Sequence, residues 1–226
     1  MKLFIASLST LITIHAQEQR KFSHITSMAW TQIQSKTSIT SKDLSKRVQN
    51  YGCHCFPGLS KIAGGAGPAQ DEYDALCRDL ARCHKCIEQD YENEIAADPT
   101  WDANIGKYRW DLQGDGSISC SANPDPHKRD LCMCDARYAM ELGKVWDDST
   151  FNLAIWNQKK NSAFNFDYQN VCVRSGLTDA DQCCGNYPER YPFDSSTRLC
   201  CNGAQVYNDQ FQDCCNDGSI KPMGSC

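Results

Sequence analysis

Three stretches of this chain carry side chains whose types and spacing bear on chemistry. Tyr51-Gly52-Cys53-His54-Cys55-Phe56-Pro57-Gly58 is a turn with glycines and a histidine. Asp74, Cys77, Leu80, Ala81, Cys83, His84 and Cys86 follow at spacings that suit one helix. Asp130 to Val145 holds Cys132, Cys134 and Asp135. A histidine oriented by a carboxylate can take a proton from water. A carboxylate beside loop carbonyls can hold a hard cation. Leu80 and Ala81 can do neither. His84 lies one turn beyond Leu80 and about 40° round the helix. No carboxylate is expected where it would need one, so it reads as a surface or half-buried histidine. Cys83-x-x-Cys86 has redox-pair spacing, and Cys132-x-Cys134 with His127 has some zinc character. Structural disulfides are the stronger reading of both.

The elements that must position these residues follow from periodicity. Ile25, Met28, Trp30 and Ile33 fit a short amphipathic helix, and Ser35 to Ser45 reads as loop. Phe56 to Gln70 is rich in glycine and proline. Asp71 opens a helix in which Tyr73, Leu76, Cys77, Leu80, Cys83 and Ile87 form an apolar stripe, expected to reach about Ile95. Gly114-Asp115-Gly116 reads as a hairpin turn, not an EF-hand loop, because Ile118 and Cys120 follow at strand spacing. Pro124 and Pro126 break the chain, and a second helix is expected from Asp130 to about Val145.

The chain has 226 residues and 16 cysteines, an even count that points to an oxidising compartment. Lys2, the apolar run Leu3 to Ile14 and Ala16 read as a secretory leader spanning 1–16. The run is too short to cross a bilayer. The net charge is −5, and −6 without Lys2, which argues against nucleic acid and anionic membranes as partners. A secreted, extracellular protein is expected, of unassigned oligomeric state.

The frame Tyr51 to Cys55 with Asp74, Cys77, Cys83 and Asp135 resembles a secreted phospholipase A2. The resemblance covers roughly Ile25 to Trp146 and implies a mainly α, disulfide-rich fold. Two long antiparallel helices and a small β-hairpin are expected within 17–172. It also implies the pairs Cys55–Cys77, Cys83–Cys134 and Cys120–Cys132. Leu76 and Glu141 fall where the family keeps one further bridge. Cys53 is implied to pair with Cys172, leaving Cys86 for the tail. Cys53–Cys86 with Cys172 serving the tail is the alternative. Leu80 and Ala81 fall at the family's catalytic histidine and calcium-binding aspartate. Asp135 falls at the carboxylate that orients that histidine. Asp135 is expected to bond a tyrosine hydroxyl or water, to be protonated, or to reach solvent. His54, Phe56 and Gly58 form a calcium loop altered from the family's pattern, so no cofactor beyond weak calcium is expected.

Residues 173–226 form a small irregular cysteine-rich module. Its doublets Cys183-Cys184, Cys200-Cys201 and Cys214-Cys215 are similar to the di-cysteine repeats of galaxin-type matrix proteins. Adjacent cysteines bond poorly to each other, so each doublet is expected to tether two other segments. The expectation is a chain that is not an enzyme. It would bind through an extracellular matrix, a mineral layer, a receptor or a lipid surface. A calcium-dependent phospholipase A2 and a non-hydrolytic lipid-binding module, with Ile25 to Ile33 at its mouth, are the alternatives.

Overall fold

Asp71 caps the first long helix: its Oδ1 accepts from the Asp74 backbone N–H at 2.9 Å. In the computed structural model, residues 22–55, 67–97, 107–155, 166–173 and 180–226 are described. The expected leader 1–16 and Phe56, Pro57 and Gly58 lie outside the described residues.

The first helix is residues 22–33, here α1. Ile25, Met28 and Ile33 are fully buried and Trp30 is half-buried, so the stripe is core. Helix α2, Ser41–Val48, stands where a loop was expected. Thr40 and Asp43 form a reciprocal capping box, which satisfies orphan N–H groups at its start. Leu44 and Val48 then bury the helix face.

Helix α3, Glu72–Asp90, buries Tyr73, Cys77, Leu80, Cys83 and Ile87 as the stripe required. It stops short of Ile95. Tyr91 leaves helical geometry, and its hydroxyl donates to Asp130 at 2.5 Å. Helix α4, Glu92–Ala97, follows the break. Strands β1, Asp111–Leu112, and β2, Ile118–Ser119, pair antiparallel in the expected hairpin. Helix α5, Pro126–Val145, begins one turn before the expected start. Pro126 is no breaker there. It occupies the first turn, where no intrahelical N–H is needed, behind the Asp125 cap.

Helices α3 and α5 run antiparallel. Tyr73 reaches Val145, the Cys83–Cys134 bridge crosses at mid-length, and Tyr91 meets Asp130. Their apolar faces join α1 and α2 in one core that includes Leu131, Tyr138, Leu142 and Trp146. All 16 cysteines are bridged. Cys55–Cys77, Cys83–Cys134, Cys120–Cys132 and Cys53–Cys172 form as the resemblance implied, and Cys86 pairs into the tail with Cys183.

Residues 168–171 form the short helix α6, Tyr168–Val171. The tail is more regular than expected. It contains three antiparallel hairpins: β3, Gln182–Cys184, with β4, Tyr191–Phe193; β5, Leu199–Cys201, with β6, Gln205–Tyr207; and β7, Gln212–Cys214, with β8, Ile220–Pro222. In each, the first strand ends at a doublet. The doublet's first cysteine bonds backward and its second forward: Cys86–Cys183, Cys184–Cys200, Cys201–Cys214 and Cys215–Cys226. The hairpins have little apolar core, so covalent links stand in for one.

The first hairpin grips α3. Arg190 makes a two-pronged pair with Asp90 at 2.6 and 2.8 Å, and the Tyr187 hydroxyl donates to the same carboxylate at 2.8 Å. Arg137 of α5 donates to the Pro188 carbonyl at 3.2 Å.

Candidate functional site

The turn at 51–55 is organised from below by Asp74. This carboxylate is wholly buried and accepts backbone N–H bonds from Cys53 (2.9 Å), His54 (2.7 Å) and Gln70 (3.0 Å). Three charge-assisted bonds offset the cost of burying the charge. Gly52 makes the approach possible. Its φ is +56°, and a Cβ there would lie 2.3 Å from the Asp74 carboxyl carbon. The bridges Cys53–Cys172 and Cys55–Cys77 hold the turn from either side. His54 is buried, and its Nε2 lies 3.1 Å from the Gly67 carbonyl oxygen. Burial pushes its pKa below the ordinary 6.5, against the pull of Asp74.

Leu80 is 3 % exposed and belongs to the core. It lines a shallow crevice between α3 and α5 with Leu76, Tyr138 and Glu141. Leu76 and Glu141 therefore face the same space, as expected of two positions that share a bridge in the family. Ala81 is half-buried and offers only a methyl group.

The structure brings His84, not Leu80, to Asp135. His84 Nε2 lies 2.6 Å from Asp135 Oδ1. The other carboxylate oxygen accepts the Tyr108 hydroxyl at 2.5 Å. Asp135 is wholly buried, so both oxygens need these donors. Of the outcomes foreseen for Asp135, the tyrosine bond is found and access to solvent is not. The expectation that His84 lacks a carboxylate is corrected. The 40° offset from Leu80 carries its ring toward α5. The Cys83–Cys134 bridge then sets the next residue on each helix side by side. That adjacency, one residue beyond each half of a paired bridge, was the signal that could have found it.

A second histidine borders this cluster. The His24 ring stands edge-on to Tyr108, with centroids 4.9 Å apart, and its buried Nδ1 has no hydrogen-bond partner. Burial lowers its pKa, and the Asp135 charge opposes that. Burial and the Asp135 carboxylate hold the Tyr108 phenol well above its usual range.

Among the described residues, no three His, Cys, Asp or Glu side chains converge as a metal site. The resemblance implies calcium, but the described residues do not fit it. Asp74 is spent on three N–H groups, the Ala81 side chain has no oxygen, and the Gly67 carbonyl faces His54.

No family model matches the chain. Among curated proteins, the mouse protein "Phospholipase A2, membrane associated" is 35% identical over 85 residues, which is 38% of this chain and 47% of that protein. "Phospholipase A2" of Calliactis polypus is 27% identical over 135 residues, 58% of this chain and 67% of that protein. The rat counterpart of the mouse protein is 32% identical over 85 residues, again 47% of its length. The chain thus spans about half the length of the rodent relatives it matches. These similarities and the helix pair support a phospholipase A2-like domain. They also overturn the expectation that the chain is not an enzyme, because the relatives are named for an enzyme, phospholipase A2.

Proposed function

We propose that this chain is a secreted phospholipase A2-like protein that engages glycerophospholipid. The observation that carries the reading is the retained frame around the 51–55 turn. Asp74 cradles that turn, and two bridges pin it. The turn and both long helices lie within a domain similar to proteins named phospholipase A2. Eight disulfides fit an oxidising, extracellular setting. Among the described residues no helix is long and apolar enough to cross a membrane, so lipid would be met from the water side. An extracellular-matrix role for the hairpins has only their doublet spacing in its favour.

A second reading, ester hydrolysis, is favoured by the His84–Asp135 pair. A carboxylate only accepts, so Nε2 donates to Asp135, and in the neutral ring Nδ1 then keeps its lone pair. An imidazole fixed in that tautomer can take a proton from water as the water oxygen attacks an acyl carbonyl. In this reading the base is His84. Leu80 and Ala81, at the family's histidine and aspartate positions, carry no proton and no metal.

The test uses the full, oxidised chain. Co-sedimentation with phosphatidylcholine vesicles and fatty-acid release are measured together, with millimolar calcium and with chelator. Co-sedimentation is expected. Neither binding nor release would remove the phospholipid reading. Release that falls in His84→Asn while binding holds supports the second reading. Release absent, or unchanged by that substitution, removes it.

A further inference from the structure

We infer that Arg78 and Arg82 of α3, with Tyr191 of the first tail hairpin, form a phosphate-binding site at the junction of domain and tail. Arg78 and Arg82 are four residues apart and so share one helix face. Both charges act on His54 of the 51–55 turn and, after burial, help to lower its pKa. The Arg82 guanidinium carbon lies 5.6 Å over the Tyr191 ring, so the docked hairpin forms one wall.

The pointer to a ligand is an unmet donor. Arg78 Nε is buried and has no hydrogen-bond partner. The adjacent Asp79 carboxylate lies 3.8 Å from that nitrogen, beyond hydrogen-bond reach. The same Asp79 oxygen is already 3.3 Å from Arg82 Nη1. Asp74, the acid that acts on His54, is consumed by backbone N–H groups. Two guanidiniums thus share one half-buried carboxylate, and the excess is positive in an acidic protein. Buried donors without acceptors are rare in folded proteins. A planar guanidinium fork matches two oxygens of a phosphate. The ligand is therefore a phosphate monoester, a phosphodiester or free phosphate. The inference rests on the phospholipid reading only for the source of that phosphate.

Arginine Nε–Hε NMR signals of the full-length, ¹⁵N-labelled, oxidised protein report on the site directly. Inorganic phosphate is titrated at constant ionic strength, with chloride as control. The expected result is a saturable shift of the Arg78 and Arg82 signals. Affinity should fall about tenfold or more in Arg78→Gln and in Arg82→Gln. Arg78→Lys keeps the charge and loses the fork. It should fold as the parent does and bind more weakly. A linear drift shared by every arginine, or unchanged affinity in the variants, overturns the site. Glycerophosphocholine and phosphatidylcholine vesicles form the other arms. A phosphate response without a lipid response supports the site and removes lipid as the source. Vesicle capture unaffected by both variants, with no phosphate shift, overturns the site and leaves the phospholipid reading standing.

Discussion

Replacing both Cys86 and Cys183 by alanine removes the one bridge between α3 and the tail while leaving the other seven. Taken alone, the bridge spans 97 residues, a loop worth about 4.7 kcal/mol in the chain-entropy account. The other bridges shorten that loop. From Cys86 it is 9 residues to Cys77, 2 from Cys55 to Cys53, and 11 from Cys172 to Cys183, about 22 in all. The same relation then gives about 3 kcal/mol. Native hydrogen exchange at the β3 and β4 amides measures the loss, because opening of that hairpin is what the bridge restrains. A loss near 5 kcal/mol would mean that the neighbouring bridges do not pre-shorten the unfolded loop. A loss under about 1 kcal/mol would mean that the noncovalent grip of Arg190 and Tyr187 on Asp90 suffices without it. Either value refutes the reasoning.

Gly52→Ala places a Cβ at φ +56° and against the Asp74 carboxyl, so it costs the left-handed strain of about 1–2 kcal/mol and loosens the carboxylate's backbone bonds as well. A loss above about 3 kcal/mol is expected by chemical denaturation, and one under 1 kcal/mol would contradict the cradle. Tyr108→Phe strips Asp135 Oδ2 of its donor in a fully buried place and should cost about 1–3 kcal/mol, read in the same assay. His24 and His54 both have pKa values lowered from 6.5, so the unfolded chain binds more protons below that pH. Their contribution is fully present above pH 6.5 and is lost as the pH falls through the lowered folded values. The melting temperature should drop on acidification from pH 7.5 to 5, and His54→Gln should flatten the drop.

Much of the helix pair could be read from residues alone. The spacing of Tyr73, Cys77, Leu80, Cys83 and Ile87 dictates one buried stripe, whereas the Cys83–Cys134 pairing that aligns the two helices was implied by the family resemblance. Local chemistry that overrides composition was harder to see. Ser35 to Ser45 looks like loop by content, yet Thr40 and Asp43 start a helix inside it. Pro126 looks like a stop and is a start. The His84–Asp135 contact depends on how far a ring swings round a helix. A 40° offset is legible in number, but its direction relative to α5 is a tertiary fact. The hairpins were masked because each strand is three residues long, too short for alternation to show.

The doublets also give the tail a mechanical property. From Cys226 a continuous covalent chord runs back to α3 through four disulfides, joined by only the three peptide bonds inside the doublets. Tension applied at that end bypasses every turn and travels along the chord, so the hairpins bear almost no load. Once reduced, the same 44 residues from Cys183 to Cys226 could pay out to roughly 150 Å. Oxidised, the tail is a stiff strut; reduced, it is a slack line.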